Sequence, residues 1–559
     1  MKVVIVGGVA GGATAAARLR RLDENAEIII FERSGFVSYA NCGLPYYIGG
    51  EIEDANDLFL QTPEGFWSRF KIDVRTLHEV KKINRERKTV TVSDIENGKT
   101  FEESYDKLIL SPGAKPVIPE FLAGDSKNVF TLRTVEDTLK IREYTDKNPI
   151  KTAAIIGGGF IGLEMAENFK KRGIDVTVIQ KGRHVLNVLD DDMASFVHTK
   201  LKSEGIKILL GQDVKSVDNG IITTDSEKIT ADIIIVSVGV IPENTLAKEA
   251  GLKLGVKGAI AVTDDMKTSD ENIYAVGDAV EVTNLISNEK TVITLAGPAN
   301  KQGRIAADNI CSIKSTYNGT QGATVIKLFD MTVAATGMTE AQLKNSGTEY
   351  EKVILSPLSH AIYYPGAKVM TLKVIFEKDT FRILGAQCVG SDGVEKRIDV
   401  IATAIFSNLK ACDLKDLELS YAPPYSSAKD PVNLAGFIID NVRKGIVKHF
   451  CFEDIPDLQI RKDVTLLDTR TVYEYMNGHA EGFINIPLDD LRERLSELDN
   501  KKAVYVMCQS GLRSYLATRI LMQNGFEAYN FTGGFRLYNT LYNDKAASSS
   551  SHHCGMEKD

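Results

Sequence analysis

Two glycine-rich turns, each lying between an apolar strand and a helix, constrain the fold of this chain more than any other feature. The first turn, Gly7-Gly8-Val9-Ala10-Gly11, follows an apolar run and precedes an alanine-rich helix. The next apolar run ends in Glu32, with Arg33 after it. A strand–helix–strand unit of about 30 residues that closes on an acid predicts a dinucleotide site, in which the acid binds a ribose hydroxyl. Val9 replaces the middle glycine of the pattern, so we expect the pyrophosphate to approach over Gly8 and Gly11.

The second turn, Gly157-Gly158-Gly159-Phe160-Ile161-Gly162, has every glycine of the pattern and precedes a helix with Glu164. The strand after that helix ends in Gln180, followed by Lys181 and Arg183. An acid at this place favours NAD, whereas a neutral residue flanked by cations can accept the extra phosphate of NADP. The cations are alternatively a solvated surface, so NADH and NADPH both stay open as cofactors.

A lone cysteine follows the first unit, in the stretch Ser38-Tyr39-Ala40-Asn41-Cys42-Gly43-Leu44-Pro45. Dithiol reductases carry a second cysteine nearby, but Val37 and Tyr47 stand where it would be. Cys42 therefore has no neighbour with which to form an internal disulfide. Its oxidised form is then a sulfenic acid or a mixed disulfide with a small thiol. The alternative is a small buried hydrophobe, the usual place of a free cysteine.

Two further apolar runs end in residues suited to a flavin site. Residues 107–110 lead into Ser111-Pro-Gly113, and 272–276 lead into Gly277-Asp278, whose aspartate can hydrogen-bond the sugar-alcohol chain of FAD. These features, with the second glycine turn inserted within the first domain, resemble the disulfide reductase superfamily with two dinucleotide-binding domains, over about residues 1–320. The resemblance implies an FAD site that also includes Asn41, Val80, Ser111, Gly113, Arg133, Gly277 and Ala296.

Residues 323–445 form a third predicted domain, with strands over 324–328 and 369–376 and a helix over 392–407. This domain contains the motif Tyr421-Ala-Pro-Pro-Tyr-Ser-Ser-Ala-Lys-Asp430. Together with the Cys42 stretch, this motif resembles the coenzyme A-disulfide reductase branch, whose neighbours reduce peroxide or oxygen. The resemblance implies a homodimer with active sites shared across the interface, in which Cys42, Tyr363 and Tyr421 are catalytic. Tyr364 stands beside Tyr363, which leaves that assignment open by one position.

The same resemblance implies a site for coenzyme A as the thiol substrate. Its residues are Thr14, Arg18, Arg21, Ser38, Asn41, Lys71 and Asn300, with Lys429 from the other subunit. Charge alone leaves two interpretations of Arg18, Arg21 and Lys71 open. They either bind the phosphates of a nucleotide-bearing thiol or form a solvated helix face.

The composition and the spacing of predicted elements change after residue 456. Three patterns follow: Asp468-Thr-Arg470, Gly478-His-Ala-Glu-Gly-Phe-Ile-Asn-Ile-Pro487 and Cys508-Gln-Ser-Gly-Leu-Arg513-Ser. Together they resemble a single rhodanese domain, which implies a catalytic Cys508. This cysteine lies between a strand and a helix N-terminus, where backbone N–H groups and the helix dipole lower a thiol pKa. We expect Arg513 to add charge stabilisation to a thiolate or persulfide. The alternative is a buried structural cysteine.

Composition limits partners and location. The chain has 559 residues with a net charge of −8, which argues against a nucleic-acid surface. No run approaches the about 18 apolar residues of a membrane span, and Met1 leads directly into a strand, so we expect neither a membrane segment nor a signal peptide. The seven cysteines are scattered without metal-ligand spacing, which predicts a cytoplasmic protein with individually reactive thiols and no metal.

The predicted fold class is α/β, with two dinucleotide-binding (Rossmann-like) domains, an α+β dimerisation domain and a C-terminal α/β rhodanese domain. We predict these boundaries: FAD-binding domain 1–115 and 240–322, NAD(P)-binding domain 116–239, dimerisation domain 323–445, linker 446–456, rhodanese domain 457–543 and disordered tail 544–559. His552-His553-Cys554 in the tail is expected to be solvated rather than metal-binding.

Three hypotheses for function follow. The first is a flavoenzyme that uses NADH or NADPH to reduce coenzyme A persulfide, disulfide or polysulfide through Cys42, with Cys508 handling sulfane sulfur and sulfide as a product. The second is a peroxide or oxygen reductase with a Cys42 sulfenic acid. The third is a sulfur carrier or redox sensor whose flavin unit only docks or reports.

Overall fold

The computed structural model of the protein describes residues 1–122 and 127–544. The tail from residue 545, with His552-His553-Cys554, lies outside the described residues. The chain divides into two compact units, the first formed by Met1–Ile179 and Val214–Gly322 and the second by Gln180–Asp213 and Ala323–Asp559. Among the described helices, none is long and apolar enough to cross a membrane.

The strands are numbered in chain order. Those before residue 151 are β1 (Lys2–Val6), β2 (Glu27–Phe31), β3 (Asp73–Arg75), β4 (His78–Asn84), β5 (Thr89–Asp94), β6 (Lys99–Ser104), β7 (Lys107–Leu110), β8 (Ala114–Pro116) and β9 (Val129–Phe130). Those from 151 to 322 are β10 (Thr152–Ile156), β11 (Asp175–Gln180), β12 (Lys207–Leu210), β13 (Val214–Asp218), β14 (Ile221–Thr224), β15 (Lys228–Thr230), β16 (Ile233–Val236), β17 (Val240–Pro242), β18 (Ile273–Ala275), β19 (Val282–Thr283) and β20 (Lys290–Thr291). The later ones are β21 (Thr324–Leu328), β22 (Met331–Gly337), β23 (Tyr350–Leu355), β24 (Thr371–Glu377), β25 (Ile383–Gly390), β26 (Lys448–Phe450), β27 (Val464–Asp468), β28 (Ile484–Asn485), β29 (Ala503–Met507) and β30 (Ala528–Phe531).

The α-helices are numbered in the same way. The first eight are α1 (Ala10–Leu22), α2 (Leu44–Gly49), α3 (Pro63–Phe70), α4 (Val135–Lys147), α5 (Phe160–Lys171), α6 (Asp191–Ser203), α7 (Thr245–Glu249) and α8 (Ala296–Ile310). The others are α9 (Glu340–Ser346), α10 (Val394–Phe406), α11 (Pro431–Arg443), α12 (Ile455–Ile460), α13 (Val472–Met476), α14 (Leu512–Gln523) and α15 (Gly534–Asn543).

The first unit contains two parallel arrays of strands, one for each glycine turn. The first array has the order β18-β7-β1-β2-β3, and the second contains β11-β10-β16-β9 in that order. The strand before each turn is apolar after its first residue, and in β1 Val3, Val4 and Ile5 are completely buried. Continuous β-branched runs of this kind form strands that are covered by helices on both faces. The two predicted Rossmann-like domains are therefore confirmed.

The second unit holds the antiparallel sheet β21-β22-β25-β24-β23, against which α10 packs. The predicted strand over 369–376 is β24, which begins at Thr371, and the predicted helix over 392–407 is α10, which begins after Gly393. Gly393 has a φ of +65°, a left-handed conformation that fits glycine at a helix start. This α+β domain agrees with the sequence prediction.

The C-terminal domain is a parallel sheet in the order β26-β30-β29-β27-β28. Its outer strand β26 falls within the segment that we predicted to be a linker, 446–456, and pairs with β30. The linker prediction was wrong at these residues, because the strand with which β26 pairs lies about eighty positions later in the chain. The α/β rhodanese fold is otherwise as predicted.

A buried ionic cluster lies within the second unit, between the start of α6 and the antiparallel sheet. The ammonium of Lys373, a fully buried residue of β24, lies 2.9 Å from the Asp190 carboxylate and 2.7 Å from that of Asp192, and also contacts Glu340. Lys352 joins the cluster at 2.9 Å from Glu340. Such a group of charges is stable in a core only while every charge keeps its partner.

Hydrogen bonds and ion pairs attach the C-terminal domain within this unit. The Thr532 hydroxyl accepts from the Ile354 N–H at 2.7 Å and donates to the Ile354 carbonyl at 3.1 Å. The Asp544 carboxylate is buried against His198 of α6 and also pairs with Lys202 at 2.9 Å. Asp544, which we predicted to begin a disordered tail, is therefore an ordered part of the fold.

Candidate functional site

The helices after the two glycine turns begin without any side-chain cap. Val9 precedes α1 and Gly159 precedes α5, and neither helix has an acidic residue in its first turn. By contrast, α4, α9 and α13 begin with complete capping boxes. Uncapped N–H groups at a helix start, together with the helix dipole, form a ready site for phosphate. Both starts therefore fit the pyrophosphate of a dinucleotide.

One glycine closes each of these turns. A Cβ on Gly12 would lie 1.9 Å from the Gly7 carbonyl oxygen, and one on Gly162 would lie 2.0 Å from that of Gly157. These are the third glycines of the pattern, which let the helix pack closely against its strand. Each lies five positions after the first glycine of its turn, and this repeated spacing is the sequence signal that identifies it.

Glu32, the acid that follows β2, is hydrogen-bonded to the first glycine turn. Glu32 is buried and accepts from the Gly8 N–H at 2.9 Å and from the Ser34 N–H at 3.0 Å. Burial raises the pKa of this carboxyl, although both N–H groups oppose the rise. The carboxylate thus lies beside the turn, where a ribose would be. Arg33 is exposed, and Val80 is part of the buried core.

The predicted flavin residues after β7 and β18 meet in one place. Arg133 donates to Asp278 at 2.7 Å and to the Ala114 carbonyl at 3.2 Å, while a Cβ on Gly113 would lie 3.5 Å from the same guanidinium. The Gly277 N–H donates to Gln302 of α8 at 2.7 Å. Gln302 belongs to no motif, so the sequence offered no signal for it. Two further predicted residues flank this place in the chain: Ser111, which follows β7 at once, and Ala296, which opens the uncapped α8.

The Cys42 stretch is tied to the first glycine turn. The Ser38 N–H donates to the Gly8 carbonyl at 2.9 Å, and Ser38 has a φ of +46°. Asn41 and Cys42 then form a short 3-10 turn that leads into α2, and the thiol is accessible. The surrounding protein and the carboxylates of Glu164 and Asp278 raise the pKa of Cys42, and Arg133 lowers it. The thiol thus lies within electrostatic reach of the predicted flavin-site residues Arg133 and Asp278.

Glu164 of α5 has a pKa suited to accepting and releasing protons near neutral pH. Burial, with Glu167 as a second cause, raises the pKa of Glu164 to about 7. Its carboxylate lies 3.5 Å from the Tyr46 hydroxyl of α2. A carboxyl whose pKa lies near neutral pH and whose charge acts on the Cys42 thiol is suited to proton transfer.

The predicted thiol-substrate residues of the first unit fall into two groups. Thr14 and Asn300 are joined by a hydrogen bond of 2.6 Å. Arg18 is paired with Asp308 at 2.7 Å, whereas Arg21 and Lys71 are exposed. The Lys71 ammonium lies 5.4 Å from the centre of the Trp67 ring. The exposed cations are thus available to an anionic ligand, and Arg18 already has a carboxylate partner.

The predicted residues of the second unit include a pair of tyrosines in contact. The hydroxyls of Tyr363 and Tyr421 lie 2.7 Å apart, and Lys429 is exposed further along the same segment as Tyr421. Tyr364 packs edge-on against His360 at 5.8 Å. Tyr363, rather than Tyr364, is therefore the residue whose phenol reaches Tyr421.

The cations after β11 are both in ion pairs. Lys181 lies 3.1 Å from Asp213, and Arg183 lies 3.0 Å from Asp191. Gln180, the last residue of β11, is half-buried. Paired surface cations agree with the solvated alternative as well as with binding of the NADP phosphate, so both nucleotides stay open.

The Cys508 loop connects β29 to the start of α14 and is built to hold a sulfur anion. The Gly511 N–H and the Ser514 hydroxyl both donate to the Cys508 sulfur at 3.2 Å. The guanidinium of Arg513 does not donate to that sulfur but binds the Glu474 carboxylate at 2.6 and 2.7 Å. The sequence identified the converging N–H groups but missed Glu474, whose partner lies in a different motif.

Comparison with known proteins agrees with this geometry. Residues 1–303 match the pyridine nucleotide-disulphide oxidoreductase family, 324–431 match its dimerisation domain, and 453–540 match the rhodanese-like domain. A coenzyme A disulfide reductase of Staphylococcus epidermidis is 39% identical over 438 residues, which are 78% of this chain and 99% of that protein.

Two solved structures resemble the whole chain. Reduced Bacillus anthracis CoADR-RHD has a TM-score of 0.95 at 48% identity and covers 97% of this chain and 98% of its own. A NAD-dependent persulfide reductase from A. fulgidus has a TM-score of 0.91 at 37% identity and covers 96% and 100%. The chain therefore belongs to the pyridine nucleotide-disulphide oxidoreductase family and carries a C-terminal rhodanese-like domain.

Proposed function

We propose that this protein uses NADH or NADPH to reduce coenzyme A persulfide, and related disulfides and polysulfides, through Cys42 and releases sulfide. The observation that carries the proposal is one chain with two sulfur sites. A solitary accessible Cys42 is tied to a dinucleotide turn, and Cys508 lies in a loop whose donors face a sulfur anion. Linking the two sites in one chain raises the local concentration of sulfane sulfur, which favours persulfide over plain disulfide as the acceptor.

The sulfur step at Cys42 balances as a displacement. The Cys42 thiolate attacks the inner sulfur of the persulfide, the bond to the terminal sulfur breaks, and hydrosulfide leaves. A mixed disulfide between Cys42 and coenzyme A remains. Two electrons from the nicotinamide then cleave this disulfide and return both thiolates, with release of one proton. Tyr363 and Tyr421 would hold or supply the proton that the leaving sulfur takes.

The residues present fit both cofactors. FAD would be held by the turn at Gly8 and by Glu32 and Asp278, and NADH or NADPH by the turn from Gly157 to Gly162 and the start of α5. When bound, FAD supplies the two-electron link between the nicotinamide and the disulfide. The uncapped helix starts support this assignment, because their N–H groups need an anionic partner.

The proposed assembly is a cytoplasmic homodimer with shared active sites. Tyr363, Tyr421 and Lys429 belong to the segment that matches the dimerisation domain, 324–431, and all three are exposed in the single chain. In a dimer each chain would supply these side chains to the Cys42 site of its partner. The six described cysteines are free thiols, which suits a reducing compartment.

The test is anaerobic turnover of the holoenzyme with purified coenzyme A persulfide, coenzyme A disulfide and peroxide, followed by sulfide release and NAD(P)H oxidation. We expect persulfide to be the best acceptor. Cys42→Ser abolishes sulfide release while reduction of the bound flavin persists, and Cys311→Ser, a half-buried thiol of the same unit, serves as the control.

Three outcomes would contradict the proposal. Undiminished sulfide release from Cys42→Ser would reject the mechanism. A preference for peroxide, with no coenzyme A set free from the purified protein by reductant, would establish the sulfenic acid alternative. Negligible NAD(P)H consumption with every thiol acceptor would instead indicate a carrier or sensor.

A further inference from the structure

The positive charge of the Cys508 loop is cancelled by a residue of another element. Both terminal nitrogens of Arg513 donate to the carboxylate of Glu474, at 2.6 and 2.7 Å. The Thr471 N–H and hydroxyl both donate to the same carboxylate at 2.9 Å, which fixes its position at the start of α13. Arg513 lowers the pKa of Glu474 to about 2, so both partners of the pair are charged at neutral pH.

The sulfur itself receives only neutral donors from the described residues. Its two contacts are the Gly511 N–H and the Ser514 hydroxyl, and the side chain of Cys508 is almost fully buried. A bidentate arginine–carboxylate pair leaves little net field for a third charge. Arg513 interacts electrostatically with Cys508, but a dianionic donor that approaches the thiolate gains less from this paired guanidinium than it would from a free one.

The residues next to this ion pair are large, apolar and exposed. Tyr473 and Met476, on either side of Glu474 in α13, are 78% and 75% exposed, and Leu512, next to Arg513, is 66% exposed. Exposed apolar side chains that adjoin a functional loop in the sequence are candidates for ligand contact. An uncharged alkyl or pantetheine-like chain has the chemistry to cover such side chains, and an inorganic anion does not.

We propose that Glu474 determines the specificity of the Cys508 site, excluding thiosulfate-type anionic donors and favouring alkyl persulfides. This inference deepens the proposed function and rests on it. With an alkyl persulfide, the Cys508 thiolate attacks the terminal sulfur, the sulfur–sulfur bond breaks and an alkyl thiolate leaves. With thiosulfate, the same attack expels sulfite. Both displacements leave a persulfide on Cys508 and need no external electrons.

The experiment measures sulfur loading of Cys508 in the full-length protein, by mass, with glutathione persulfide, coenzyme A persulfide and thiosulfate as donors. In the wild-type protein we expect both organic persulfides to load faster than thiosulfate. In Glu474→Gln, which frees Arg513 from its carboxylate, the ratio of thiosulfate to persulfide kcat/KM rises at least about tenfold. Glu474→Asp keeps the charge and retains most of the wild-type ratio.

Glu497→Gln is the matched control. Glu497 binds Arg494 through two contacts of 2.7 and 2.8 Å in the same domain but outside the Cys508 motif. Breaking that pair leaves the donor ratio unchanged, so a general change of charge is separated from the effect of Glu474.

Two results overturn the inference: faster loading by thiosulfate in the wild-type protein, or an unchanged ratio in Glu474→Gln. The wild-type comparison stands even where a variant folds poorly. Because loading is read at Cys508, failure here is distinct from failure of the reductase, which is read from NAD(P)H oxidation with coenzyme A disulfide.

Discussion

The hydroxyls of Tyr363 and Tyr421 lie 2.7 Å apart, although the two residues are 58 positions apart in the sequence. The hydrogen bond with Tyr363 raises the pKa of Tyr421. Tyr421 is therefore protonated at neutral pH, and in the proposed mechanism its hydroxyl donates a hydrogen bond to the thiolate or hydrosulfide that forms.

Replacing either tyrosine tests this role. We expect Tyr421→Phe and Tyr363→Phe each to lower persulfide turnover by about tenfold or more, as loss of a general acid does, with flavin reduction by NAD(P)H unchanged. The double variant is no slower than the worse single one, because the pair acts as a unit. Tyr364→Phe, whose ring packs on His360, is the control; an equal loss there would point to a packing effect.

Burial is the main cause that raises the pKa of Cys42, and the Glu164 carboxylate is the second. Because a negative charge disfavours a thiolate, Glu164→Gln should lower the pKa of Cys42 and speed its alkylation by an uncharged reagent. Glu164 itself titrates at about pH 7, so the two proteins differ above that pH and converge below it. The pH dependence of alkylation of the Cys42 peptide, measured by mass, gives the result. Glu143→Gln, at an exposed ion pair, leaves the profile unchanged, and a higher pKa in Glu164→Gln would contradict the prediction.

Replacing Gly159 is expected to weaken nucleotide binding without affecting folding. A Cβ at this position would meet no described protein atom within 4 Å, so Gly159→Ala should leave the melting temperature unchanged. The added methyl group would stand where a pyrophosphate approaches the turn, and we expect KM for NAD(P)H to rise about tenfold. In Gly162→Ala the Cβ lies 2.0 Å from the Gly157 carbonyl oxygen, and that variant loses stability instead. An unchanged KM in Gly159→Ala would place the nucleotide elsewhere.

The Lys373 ammonium holds together three buried carboxylates. Lys373→Met leaves Asp190, Asp192 and Glu340 without their central cation, and we expect the free energy of unfolding to fall by about 3–5 kcal/mol. Lys378→Met is the control, because Lys378 and Glu349 form an exposed pair at 3.6 Å that contributes about 1 kcal/mol at most. Denaturant unfolding of both variants measures the difference. Equal stabilities would mean that the cluster adds nothing to the fold.

The parts of this protein that the sequence predicted are those in which backbone geometry is dictated locally. Gly7 and Gly157 have φ values of +95° and +107°, which glycine adopts without strain, and each stands between an apolar strand and a helix. The loop after Cys508 was predictable for the same reason, since a strand, a short turn and a helix follow within a few residues.

The parts that were missed depend on partners remote in the chain. For Arg18 the sequence left phosphate binding and a solvated helix face open, and it did not indicate the partner that the structure shows, Asp308, 290 positions away. Arg513 was expected to add charge stabilisation at Cys508, and the two groups do interact electrostatically, but the sequence did not indicate that Glu474, 39 positions earlier, binds both of its terminal nitrogens. No periodicity or motif reports such pairs, because they arise only when the elements pack.

Thr532 has a consequence for how this chain tolerates separation of its domains. β23 is the outermost strand of its sheet, and the Thr532 hydroxyl satisfies both backbone groups of Ile354 on the open side. Truncating the chain before β26 would leave these backbone groups without partners. The exposed edge strand could then pair with a strand of another chain, which promotes aggregation. The rhodanese-like domain thus also protects the edge strand of the dimerisation-domain sheet. A truncated reductase would need a charged residue or a proline on β23 to remain soluble.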